Sequence, residues 1–76
     1  MRTHNPPYTL ESARAQMRDA LARAEKAQAE ADAAARHRNP YMARYFDRQV
    51  KHWRECAARD AARVAYLEGQ ANASAV

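Results

Sequence analysis

The 76-residue chain has one glycine, one cysteine, one phenylalanine, one tryptophan and no isoleucine. Each shortage excludes something. A single Gly leaves no glycine-rich loop to cradle a phosphate. The single Cys56 excludes an intrachain disulfide and points to a reducing compartment, leaving only an intermolecular bridge open to it. Leu, Val and Phe number 3, 3 and 1, too few for the core of a rounded domain. No stretch approaches the ~18 apolar residues of a membrane span, and Met1 to Tyr8 lacks the apolar run of a signal peptide. The expected location is cytoplasmic.

What is present is helix-forming. Alanine accounts for 20 residues, and Arg, Glu, Gln, Leu and Met are also strong helix formers. Net charge is +4, with a pI near 9.7, too modest to predict disorder. An extended all-α protein fits this composition best.

Met1 to Tyr8 holds two prolines and no periodicity, so residues 1–8 are expected to form an irregular arm. Thr9 is a good N-cap, with Glu11 placed to favour the helix dipole. From Leu10 the apolar positions step by three and four: Leu10, Ala13, Met17, Ala20, Ala24, Ala27, Ala31, Ala34. This is a coiled-coil period with Ala at most seam positions, and Leu21 widens the seam. On the charged face, Asp19–Arg23, Lys26–Glu30 and Asp32–Arg36 are spaced to pair at i, i+4.

Asn39-Pro40 interrupts this pattern. Pro disfavours the α conformation in the residue before it, so the first helix should stop near Arg38. Asn39 is a good N-cap and Pro40 a good first helical residue. The expected helices are therefore about 10–37 and 40–68, with Gly69 as the C-terminal stop and 70–76 as a frayed tail. A connection this short makes the helices antiparallel neighbours. The second helix carries the bulk that the first lacks, on a stripe of Met42, Phe46, Val50, Trp53, Ala57, Ala61, Val64 and Leu67. Folded about Asn39, Ala31 faces Phe46, Ala24 faces Trp53, Leu21 faces Ala57 and Ala13 faces Val64. Small meets large repeatedly, as interdigitating layers require. One Ala-rich helix does not cover Trp53, Phe46 and Tyr45, so two hairpins are expected to close into a homodimeric four-helix bundle. Its core and dimer residues would be Phe46, Val50, Trp53, Ala57, Val64, Leu67, Met17 and Leu21.

The sequence offers no enzyme chemistry. His4, His37 and His52 have no partner at metal-ligand spacing, so no metal site or cofactor is expected. Cys56 lies one helical turn from His52 but reads as a small filler at a helix interface. Ser12 and Ser74 have no base nearby. Arg44, Arg48, Lys51 and Arg59 form a stripe interrupted by Glu55. It reads either as a phosphate-binding face or as solvated surface paired to Asp47, Glu55 and Asp60. Tyr41, Arg44 and Tyr45 differ in kind, since Tyr and Arg are the residues most often found as interface hot spots. With Arg38 and Arg48 they form the expected partner-binding set. Tyr66, away from any basic cluster, is expected to pack.

An irregular arm, an Ala-rich helix, an Asn-Pro-Tyr turn followed by Arg44 and Tyr45, and a second basic helix resemble the small phage proteins that inhibit bacterial quorum sensing. The resemblance covers residues 9 to 68, with Tyr41 to Tyr45 as its local signal. It implies a dimeric helical hairpin in the cytoplasm of a bacterial host. The implied partner is a host protein, a LuxR-type transcription regulator or the type IV pilus assembly ATPase, with Tyr41, Arg44 and Tyr45 as contacts. The leading expectation is thus a non-enzymatic protein-binding module. The alternatives are a basic nucleic-acid-binding hairpin and a structural coiled-coil subunit.

Overall fold

The computed structural model describes residues 9–75, so the expected arm lies outside the described residues. Two helices, α1 (Leu10–Arg36) and α2 (Pro40–Ala75), pack against each other. Arg14, near the start of α1, meets Glu68 near the end of α2, whereas Arg23 and Gln28, nearer the turn, meet Trp53 and Arg54. The pair is an antiparallel hairpin. Its longest Cα dimension is 56 Å and its thinnest 13 Å. Two helices side by side make one layer, so both faces of that layer are open.

Both helix starts are capped as the sequence predicts. Thr9 Oγ1 accepts from the Ser12 amide at 3.1 Å, and Ser12 Oγ accepts from the Thr9 amide at 3.2 Å. This reciprocal pairing satisfies two donors that a helix start leaves without partners. Asn39 Oδ1 accepts from the Met42 amide at 3.2 Å, and its carbonyl accepts from Ala43 at 2.9 Å.

The same Asn39 closes α1. Its amide donates to the Ala34 carbonyl at 2.9 Å, while the Arg38 amide donates to Ala35 at 3.1 Å. With Arg38 at φ 57°, this is a Schellman motif. His37 is the C-cap, so α1 ends one residue before the expected limit. Asn39 thus terminates one helix and starts the next.

The core follows the heptad. Ala13, Ala20, Ala24, Ala27 and Ala31 of α1 are buried against Val50, Ala57 and Val64 of α2. Phe46, Trp53 and Leu67, which occupy the other seam position of α2, are only half-buried, as is Met17 in α1.

Three expectations need correction. The seam residue after Ala57 is Asp60, whose side chain is 16% exposed, while Ala61 is exposed. Steps of four and three alternate along α2, and a three must follow the four from Trp53 to Ala57; spacing outranks residue type. The second helix does not stop at Gly69 but runs to Ala75. Gly69 has no left-handed backbone, no Pro follows it, and Ala71 and Ala73 favour continuation. Residues 70–75 are therefore helical, and Val76 lies outside the described residues. Finally, Tyr66 is 65% exposed and does not pack.

Candidate functional site

Tyr41, Arg44, Tyr45 and Arg48 are spaced i, i+3, i+4, i+7, which places them on one face of α2. That face points away from α1, because the buried positions Val50, Ala57 and Val64 lie on the opposite side of the helix. All four residues are exposed. Tyr41 is 71% exposed and Tyr45 43%, with the Tyr45 ring edge-on to Phe46 at a centroid distance of 5.1 Å. The contact anchors Tyr45 at the margin of the seam and leaves Tyr41 free. Arg38 stands beside this ridge in the turn.

Cations without an ion-pair or hydrogen-bond partner among the described residues cluster in this region, although Arg18 and Lys26 of α1 also have none. Among the described residues, Arg14 pairs with Glu68, Arg23 with Asp19 and Arg63 with Asp60. The side chains of Arg36, Arg38, Arg44, Arg48 and Lys51 have no hydrogen-bond or ion-pair partner among the described residues. Asp47 and Glu55 form no ion pair with the stripe among the described residues. Arg59 donates to Cys56 Sγ at 3.4 Å and has no ion-pair partner among the described residues. Of the three expected i, i+4 pairs in α1, Asp19–Arg23 forms at 2.9 Å. Asp32 instead accepts from Gln28 Nε2 at 3.1 Å, and Lys26 and Glu30 stay apart.

Each open face of the layer holds a groove. One holds a groove of about 480 Å³ lined by Trp53, Cys56, Asp60 and Arg63 of α2 with Gln16 and Asp19 of α1. Heptad spacing places Met42, Phe46 and Leu67 on that same side. Over Trp53 lies the Arg23 guanidinium, 4.9 Å from the ring centre, with the His52 ring edge-on at 4.9 Å. Cys56 Sγ lies 3.7 Å from His52 Nε2. On the opposite face a groove of about 400 Å³ lies between Gln28, Asp47, Val50, Lys51, Arg54 and Glu55. Leu21, expected in the seam, lies 47% exposed on this second side, lining a further groove with Gln28 and Arg54.

Among the described residues, no group of His, Cys, Asp and Glu could hold a metal ion. No described helix is long and apolar enough to cross a membrane. Compared with known proteins, the chain matches no family model, no curated protein and no solved structure. The functional reading therefore rests on the geometry of the chain itself.

Two features escaped the sequence reading. Arg38 occupies a left-handed position normally given to Gly, and Arg23, from the Ala-rich helix, covers the Trp53 ring. Asn39-Pro40 signalled the turn but not the hand of the residue before it. The Arg23–Trp53 contact depends on the register between helices, which a single helix pattern does not reveal.

Proposed function

We propose that this chain is a non-enzymatic protein-binding hairpin whose turn-proximal ridge of α2 makes the contact. One observation carries the reading: Tyr41, Arg44, Tyr45 and Arg48 share an exposed face whose two cations have no ion-pair partner among the described residues. Tyr supplies large contact area at low entropic cost, and Arg binds carboxylates in pairs of hydrogen bonds. Neither role is used inside the hairpin by Tyr41 or Arg44. Arg38 adds a donor at the rim.

The hairpin works as a homodimer in this account. Support comes from the half-buried Phe46, Trp53 and Leu67 on one side of a two-helix layer. A second copy laid on that side would form a four-helix bundle and bury them. The ridge of Tyr41 and Arg48 points away from the seam and stays accessible in such a dimer. In the wider setting, the protein is a phage or mobile-element inhibitor acting in the bacterial cytoplasm on a host transcription regulator or ATPase. The resemblance of the Asn39 to Tyr45 turn to the anti-quorum-sensing proteins supports that setting.

The test is site-specific photo-crosslinking in a lysate of the native host. A photoreactive phenylalanine analogue replacing Tyr41 should cross-link one discrete protein, and the same analogue replacing Ala58 should not. Equal labelling from both positions would overturn the ridge as the contact. The second reading, nucleic-acid binding, is favoured by the unpaired Arg and Lys residues alone, and cross-linking of Tyr41 to nucleic acid would put it first.

A further inference from the structure

The net charge of the hairpin is not spread along it. Residues 10–30 hold four Arg and Lys against four Asp and Glu, and residues 52–75 hold three against three. Residues 31–51 hold five against two. The body is neutral, and the whole excess of the described chain sits at the turn, on Arg36, Arg38, Arg44, Arg48 and Lys51. None of these side chains has a partner among the described residues.

A second, independent observation concerns Arg38. Its φ of 57° is the only positive φ among the described residues. The C′ position of a Schellman motif favours Gly, because a Cβ is crowded in the left-handed region. Local strain of this kind is commonly held where a side chain serves a function. Here the strained residue is an exposed Arg whose guanidinium has no hydrogen-bond or ion-pair partner among the described residues. Folding alone gains nothing from Arg at this place.

We infer that the turn receives an acidic segment of a partner protein, with carboxylates on Arg38, Arg44 and Arg48 and an apolar side chain between Tyr41 and Tyr45. The inference rests on the protein-binding reading and names the chemistry of the partner. A duplex nucleic acid fits less well. It needs cations tracking along its backbone, whereas here the net positive excess ends at Lys51 and Glu55 separates it from Arg59. Two tyrosines flanking a guanidinium suit a peptide that alternates apolar and acidic residues.

The test begins with selection from a random dodecapeptide display library on the full-length protein. The best peptide is then titrated by fluorescence anisotropy, beside mixed-sequence duplex DNA as the competing probe. The selected peptides should be rich in Asp and Glu next to Leu or an aromatic residue. Arg44→Gln with Arg48→Gln should weaken the peptide about tenfold or more, and circular dichroism melts should show the fold intact. Arg38→Gly should weaken binding while raising the melting temperature, a combination that a purely structural residue would not give. Peptides lacking acidic residues, or acidic ones indifferent to these variants, would overturn the acidic partner and leave protein binding standing. DNA bound at physiological salt with no peptide enriched would overturn both readings. Enrichment of neither would also count against this inference.

Discussion

The Arg23 guanidinium lies 4.9 Å from the centre of the Trp53 ring, held there by Asp19 at 2.9 Å. Helix α1 therefore sets a charged residue over the largest side chain of α2. The guanidinium is attracted to the ring face, and its stem covers apolar surface. Beside Cys56 and Asp60, Trp53 lines the groove.

A double-mutant cycle measures this contact. Trp53→Ala should destabilise the hairpin by about 2–3 kcal/mol, less than for a fully buried ring because Trp53 is only half-covered. Arg23→Ala should cost about 0.5–1 kcal/mol, with most of that loss absent when Trp53 is already gone. Urea denaturation of the four proteins reads the coupling. Additive losses would show that Arg23 merely lies near the ring.

Much of this fold is legible in the residue pattern, and the departures have physical reasons. Asn39-Pro40 marks the turn because Pro restricts the residue before it and Asn caps the helix after it. The Ala seam of α1 is legible because its period is unbroken. Asp60 is misread because an apolar Ala61 lies beside it, while the alternating steps require position 60. Gly69 is misread because Gly permits a helix to end without forcing it to. The ridge from Tyr41 to Arg48 is legible as a set, since its members share helical spacing. The partnerless state of its cations is not, because it depends on where Asp32 and Asp47 point.

Gly69 offers a test of the longer α2. A Cβ built at this residue meets nothing within 4 Å, so Ala fits without strain. Gly69→Ala should stabilise the protein by about 0.5–1 kcal/mol if the helix continues through it. For a domain of this size that raises the melting temperature by roughly 4 °C. An unchanged melt would place the end of α2 before Gly69.

Asp60 offers a test of the seam. Its carboxylate lies 3.5 Å from the Arg63 guanidinium at a position where the period asks for an apolar side chain. Replacing a partly buried ion pair by an apolar residue is often neutral or stabilising. Asp60→Leu should therefore raise stability by about 1 kcal/mol, and it should tighten self-association through the enlarged apolar side. Denaturant melts and sedimentation equilibrium check the two effects. A destabilised monomer would show that Asp60 fixes α2 in ways the seam does not capture.

The most direct test of the central claim separates folding from binding at the ridge. Tyr41→Ala combined with Arg44→Ala removes two exposed side chains with no partner in the hairpin, so folding should change by no more than about 0.5 kcal/mol. If the pair are hot spots, binding of the protein cross-linked from position 41 should weaken by on the order of 2 kcal/mol or more, roughly thirtyfold. Calorimetric titration of that partner, beside thermal melts of the same samples, gives both numbers. An unchanged melt with lost affinity is the predicted result. Native affinity in the double variant would contradict the account.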